Sequence, residues 1–302
     1  MKGNSRLMLL LDCQYQEGVG GHGGTMNHLD RLEAESIFIF REAFSRVRSL
    51  GMLWSFGKDS NLMIWLARKA FYGRVPFPLL HCDTALEMPE VYDFRDRYVK
   101  EWDIDFISHP CPPLEKTDAS LPPAARVAAR KTLGLNEALA TYGLRGIITG
   151  IRRDEEGTRA KERVFSPRLR DGTWEVKDQP PEFWGQFTTD IPPDGSIRIH
   201  PLLHWTELDV WRYIQRENIP VVPLYFARPY GEFEGRDFGG AMMRFRSLGE
   251  RGITWPLAST ATTVATIISE LETTNVSERA GRPMGAEEDE SSFERLRAAG
   301  YM

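Results

Sequence analysis

Leu29, Leu32, Ile37, Phe40, Phe44 and Val47 recur at helical spacing, which predicts an amphipathic helix over 28–49 leading into a first strand. Apolar runs and helix-period segments then alternate. The pattern predicts strand 51–55, helix 60–72, strand 77–82, helix 88–101 and strand 104–108. After a break at Pro110, Pro112 and Pro113 it predicts helix 124–142 and strand 145–149. Strands alternating with helices of this length predict right-handed βαβ units and a parallel sheet. In such sheets ligands bind outside the carboxyl ends of the strands.

From about residue 165 the character changes. The aromatic and proline-rich run Pro180-Pro181-Glu182-Phe183-Trp184 precedes a predicted strand at 197–199. Thr206-Glu207-Leu208-Asp209 spells a capping box that opens a helix over 207–217, and Pro220 ends it. Further helices are predicted at 263–273 and 290–299. No internal repeat or low-complexity tract interrupts this order. The expected organisation is a glycine-rich flexible tail over 1–25, an α/β domain over 26–205 and an extension over 206–302 packed on it. The structured part is expected to begin near Met26, and the start codon is open between Met1 and Met26.

Composition narrows the class of protein. The 302 residues are 41% hydrophobic and 27% charged, enough for a sizeable core. A net charge of −5 gives no general footprint for nucleic acid, so an anion site must come from local basic clusters. Cys13, Cys82 and Cys111 are scattered without a C-x-x-C, which fits a reducing cytoplasm and argues against a structural metal or iron–sulfur site. No apolar run approaches the roughly 18–20 residues of a membrane span.

Two stretches carry candidate chemistry, and both fall at predicted strand ends. Trp54-Ser55-Phe56-Gly57-Lys58-Asp59-Ser60 joins the first strand to its helix. A strand turning at a glycine into a helix N-terminus presents backbone N–H groups and a positive dipole end to an anion. Lys58 adds a cation, and Ser55 and Ser60 add hydroxyls. The spacing is not that of a Walker A loop. Gly150 to Arg163, after the strand at 145–149, holds five basic and four acidic residues, among them Arg152, Arg153 and Arg159. In isolation it reads as a self-neutralising loop. At a strand's carboxyl end its guanidinium forks suit a tetrahedral oxyanion.

The spelling Ser-x-Gly-Lys-Asp-Ser resembles the PP-loop of the ATP pyrophosphatases. Phe77 to Thr84, the Arg-Arg-Asp-Glu-Glu run through Arg163, and Pro223-Leu224-Tyr225 extend the resemblance. Together with Leu32 to Ser36, Ala67 to Tyr72, Phe94 to Arg97 and Arg244 to Gly249, they are similar to one family. It is the small catalytic subunit of heterodimeric sulfate adenylyltransferase, in the PAPS reductase-like branch of the PP-loop superfamily. The resemblance covers nearly everything from Met26 to about Arg282.

It implies a three-layer α/β domain of the adenine-nucleotide α-hydrolase type with an α-rich C-terminal extension. The implied reaction is ATP plus sulfate giving adenosine 5′-phosphosulfate and pyrophosphate. By position, Ser55, Phe56, Gly57, Lys58, Asp59 and Ser60 are implied to hold the phosphates, with Mg²⁺, and Asp83 and Thr84 to lie near the nucleoside. Arg152, Arg153 and Arg159 are implied to shape the sulfate or α-phosphate site. No protein metal ligand is assigned. A GTPase large subunit is the implied partner, because the product anhydride lies uphill of ATP.

Four departures from the family pattern stand out. Its Asp-Thr-Gly is Asp83-Thr84-Ala85 here, and a His- and Thr-containing segment is replaced by Leu121 to Val127. The stretch from Tyr230 to Met242 is shorter, and Gly249 to Pro256 is expanded. PAPS or APS reductase chemistry needs a thiolate near the C-terminus, and the last cysteine here is Cys111. An FMN-adenylylating paralogue and a non-catalytic nucleotide-binding regulatory subunit remain as alternatives. His81 reads as a nucleotide contact or a core residue, and His200 with His204 as a weak metal pair. Arg244 and Arg246 are open between an anion, a partner and a salt bridge.

Overall fold

In the computed structural model the described residues are 26–155, 157–169, 173, 174, 179, 181–274 and 278. The expected tail and the helix at 290–299 lie outside them. Asn27 caps α1 (His28–Arg46) by accepting the Asp30 N–H at 3.0 Å, while the Asp30 carboxylate accepts the Asn27 N–H. Then follow β1 (Leu50–Leu53), α2 (Lys58–Ala70), β2 (Leu79–Asp83), α3 (Pro89–Glu101) and β3 (Phe106–Pro110). After these come α4 (Pro123–Tyr142), β4 (Gly146–Ile148), β5 (Phe165–Arg168), β6 (Ser196–Ile199) and α5 (Glu207–Glu217). The predicted helix–strand alternation is present, with boundaries moved by at most three residues.

The main sheet has the order β3-β2-β1-β4-β6-β5, parallel except for the edge strand β5. Adjacent residues on a strand point to opposite faces. Leu79 and Ile148 join the large core on one side, while Leu80 and Ile147 pack with Leu135, Ala138 and Leu139 of α4 on the other. Sequence order reverses between β1 and β4, so the crevice beyond their carboxyl ends is the ligand position dictated by topology.

The later part of the chain holds the two expected helices, α5 and α6 (Val264–Glu272), and also a three-stranded antiparallel sheet. That sheet comprises β7 (Arg228–Phe233), β8 (Arg236–Arg244) and β9 (Leu257–Ala258). Val210, Trp211, Ile214, Phe245 and Ile267 belong to the same core as Met52 and Leu62. Hydrophobic burial is therefore continuous across residue 205. No helix among the described residues is long and apolar enough to cross a membrane.

Candidate active site

The turn between β1 and α2 is built around buried polar groups. Phe56 adopts φ +61°, in the left-handed region that a phenylalanine enters only when its surroundings hold it there. Its ring is fully buried against Trp54, 4.7 Å between centroids, and His81, 4.6 Å. Asn61, also fully buried, accepts the Trp54 indole N–H at 2.8 Å and donates to the carbonyls of Phe56 and Pro220. Ser60 donates to the Gly57 carbonyl at 2.9 Å and Ser55 to the Ser60 hydroxyl at 3.3 Å. Tyr225 closes the turn from the other side, accepting the Lys58 N–H at 3.0 Å. Burial pushes its phenol up to about 12, so it stays protonated.

Lys58 is buried at the start of α2. Its ammonium lies 3.1 Å from Asp59 Oδ2 and 2.5 Å from Glu278 Oε1. Arg152, after β4, is fully buried and reaches Glu278 Oε2 at 2.6 Å, Asp154 Oδ1 at 2.9 Å and Asp59. Burial opposes ionisation of Glu278, but Lys58 and Arg152 outweigh it and hold that carboxyl far below the usual range. One carboxylate is thus clamped between the two cations at the mouth of the β1–α2 turn. Gly150 lets the end of β4 press on α2, since a Cβ there would stand 3.2 Å from Met63.

A cavity of about 300 Å³ opens from this turn along the α4 face of the sheet. Ser55, Gly57, Lys58, Asp59, Ser60 and Arg159 line it, so the structure gathers six of the predicted site residues. Arg159 is buried and pairs with Glu155. The remaining predictions go elsewhere. Phe56 serves the turn through its backbone while its side chain is core. Arg152 sits behind Lys58, clamped by its carboxylates and outside the cavity wall. Arg153 donates to the Glu162 carbonyl at 3.1 Å and does not line the cavity.

Asp83 and Thr84 are also outside the lining. The Asp83 carboxylate accepts the Ala85 N–H at 2.8 Å and the Tyr92 hydroxyl at 3.0 Å, which occupies it in the turn after β2. Burial pushes that carboxyl up, and these two donors outweigh it and keep it below its usual value. Their neighbours His81 and Cys82 line the cavity instead. His81 is held neutral, its value pushed down to about 4 by burial.

The phosphoadenosine phosphosulfate reductase domain family matches residues 49–256, from β1 to just before β9. Over nearly its whole length the chain is similar to proteins named sulfate adenylyltransferase subunit 2. That of Rhizobium tropici is 43% identical over 297 residues, covering 91% of this chain and 93% of the relative. That of Geotalea uraniireducens (strain Rf4) is 43% identical over 301 residues, covering 92% and 99%. The chain belongs to the sulfate adenylyltransferase subunit 2 family. Among solved structures, the FMN adenylyltransferase of Candida glabrata superposes with a TM-score of 0.51 at 16% identity, covering 89% of this chain and 80% of that one. That likeness shows a shared fold.

In this member of the subunit 2 family, sequence reasoning missed several groups in and around the cavity. Glu278 lies 220 residues from Lys58, and no local pattern marks it. Asn61 follows the motif directly, and a wholly polar residue on the buried face of an amphipathic helix was its signal. Lys131 of α4 stands 3.4 Å from Glu87 and 3.3 Å from Glu250, all three at the cavity wall. Burial lowers the Lys131 ammonium, but the two carboxylates outweigh it and raise it above the usual range.

Other candidates resolve as structural. Arg244 pairs with Glu270 at 2.6 Å and Arg246 with Glu207 at 2.7 Å. His200 Nδ1 is 2.7 Å from the Arg163 carbonyl and His204 Nδ1 2.7 Å from Glu35, so the two histidines do not converge.

Proposed function

We propose that this chain transfers the adenylyl group of ATP to sulfate, forming adenosine 5′-phosphosulfate and pyrophosphate. The observation that carries the proposal is the Glu278 carboxylate held by Lys58 and Arg152 at the N-terminus of α2. A site that retains one internal anion so firmly has the charge and donors to retain a phosphate. ATP enters by displacing that carboxylate, and Lys58 with the first-turn amides takes the β and γ phosphates.

In the transfer a sulfate oxygen forms a bond to the α phosphorus while the α-phosphorus bond to the bridging oxygen breaks. The electron pair leaves with pyrophosphate. Sulfate is already a dianion, so no proton has to be removed from it. The obstacle is bringing it to a polyanion. Charge neutralisation and alignment by Lys58 and Arg159, with Arg152 holding Lys58 and Asp59 in place, meet that obstacle.

Among the described residues no group of three or more His, Cys, Asp or Glu is placed to hold a metal. The residues present fit a Mg²⁺ that arrives on the phosphates, with Asp59 as the cradle's carboxylate, because Mg²⁺ usually keeps waters and one or two protein ligands. It would neutralise phosphate charge. The family's name implies another subunit; in this reading that subunit is a GTPase, and its hydrolysis of GTP offsets the uphill formation of the product.

The test is pyrophosphate release from ATP by the chain assembled with its GTPase subunit, with sulfate, molybdate, FMN or no acceptor. Release that requires a tetrahedral oxyanion is expected. Release that requires FMN, or that ignores the acceptor, overturns the proposal.

A further inference from the structure

A second part of the cavity wall is chemically unlike the β1–α2 turn. Two carboxylates, Glu87 and Glu250, face one ammonium, Lys131, leaving an excess negative charge there. Lys131 gives a hydrogen bond to Glu87, and among the described residues neither oxygen of Glu250 accepts one beyond its ion pair with Lys131, although that side chain is only 1% exposed. Three more buried polar atoms on the same lining have no hydrogen-bond partner among the described residues: His81 Nε2, Thr149 Oγ1 and Thr254 Oγ1. Buried polar groups are nearly always paired, so this cluster is shaped for a polar ligand.

Glu250 and Thr254 both belong to the expanded segment after Gly249. The segment is pinned in place by the Arg251 N–H on the Leu86 carbonyl at 3.0 Å, and it turns back through the Ile253 and Thr254 N–H groups on the Glu250 carbonyl. An ionised carboxylate only accepts hydrogen bonds, and an excess carboxylate repels phosphate. The ligand atoms facing it are therefore hydrogen-bond donors and not phosphate oxygens.

We infer that Glu250, supported by Thr254, is a nucleoside-specificity residue that accepts a hydrogen bond from an N–H or O–H donor of the substrate. This rests on the proposed ATP-dependent reaction and orients the nucleotide in the cavity: triphosphate at residues 57–60, nucleoside at residues 250–254. The donor is either the exocyclic amine of adenine or a ribose hydroxyl. GTP presents a carbonyl where ATP presents the amine, so an amine contact also rejects guanine.

The experiment is calorimetric titration of the full chain, as wild type, Glu250→Gln, Glu250→Ala and Lys58→Ala. The titrants are the analogue with a methylene between the α and β phosphates, its 2′-deoxy, 3′-deoxy and purine-riboside counterparts, and inorganic tripolyphosphate. Glu250→Ala is expected to weaken the adenosine analogue about tenfold or more, since a buried acceptor–donor pair is lost, and to leave tripolyphosphate within about twofold. Glu250→Gln, which keeps one acceptor oxygen, is expected to fall between. The counterpart lacking the contacted donor binds wild type and Glu250→Ala alike, which identifies amine or hydroxyl. Lys58→Ala weakens every titrant.

Unchanged adenosine affinity in both Glu250 variants, or an equal loss for tripolyphosphate, overturns the Glu250 assignment alone. Failure of wild type to bind either the adenosine analogue or tripolyphosphate overturns the ATP reading and this inference with it.

Discussion

Lys58 and Glu278 share one short ion pair, and each is the other's best probe. Replacing Lys58 with alanine removes the cation that meets the incoming phosphates. The sulfate-dependent turnover of the assembled enzyme should fall by about 100-fold or more, with the circular dichroism spectrum retained. Near-normal turnover would take the turn out of the mechanism. Glu278→Gln leaves two buried cations with a weaker partner and should destabilise the free chain by on the order of 2–4 kcal/mol. Because the substrate then meets no competing carboxylate, the rise in melting temperature on adding the ATP analogue should exceed that of wild type; a smaller rise contradicts the displacement reading. Ala85 offers a stability test. It holds φ +60° with its N–H on Asp83 Oδ1. A left-handed alanine costs about 1–2 kcal/mol and a glycine loses about 0.5–1 kcal/mol more chain entropy. Ala85→Gly should therefore raise the unfolding free energy by about 0.5–1 kcal/mol in urea titrations, and a loss there would mean that the turn is otherwise constrained.

At the scale of elements, what was legible had strong periodicity or an explicit cap. Helix α5 is found at its predicted bounds because Thr206 and Asp209 exchange side-chain and backbone hydrogen bonds. The β1–α2 turn was legible because glycine, lysine and two serines sit together between two clear patterns. Strands β5 and β7 to β9 were not. Pro167 lies in β5, an edge strand that tolerates it, Pro229 and Gly231 lie in β7, and Gly239 and Gly240 in β8. These strands are fixed by antiparallel register rather than by apolar alternation, so no period of two reaches the sequence. The charged run after β4 divides in a way that composition alone does not show. Arg159 lines the cavity, Arg152 holds the acidic side chains around Lys58, and Arg153 ties down the segment leading to β5. Arg153→Ala should lower stability by about 1 kcal/mol while sulfate half-saturation stays within about twofold of wild type. A sulfate requirement raised tenfold with unchanged stability would return Arg153 to the site.

For the whole molecule, two buried histidines set the acid limit. Burial is the leading cause in both, pushing His81 and His200 from 6.5 down to about 4. The unfolded chain therefore takes up protons first as pH falls. Stability is fully present above about pH 6.5 and is lost progressively down to about pH 4, on the order of 3 kcal/mol for each histidine. Urea midpoints at pH 7.5, 5.5 and 4.5 should drop steadily, and His200→Asn should flatten the slope; a flat wild-type profile would contradict the buried neutral state. Glu278 acts in a separate window, since its lowered carboxyl contributes above the usual carboxylate range and is lost only below it. All of the chemistry proposed here depends on where the triphosphate lies against the sheet. A crystal structure of the assembled enzyme with the α,β-methylene ATP analogue measures that directly. The account predicts β and γ phosphate oxygens within hydrogen-bond distance of Lys58 Nζ and the first amides of α2, with the Glu278 carboxylate displaced. A triphosphate bound elsewhere, with the Lys58–Glu278 pair intact, would contradict it.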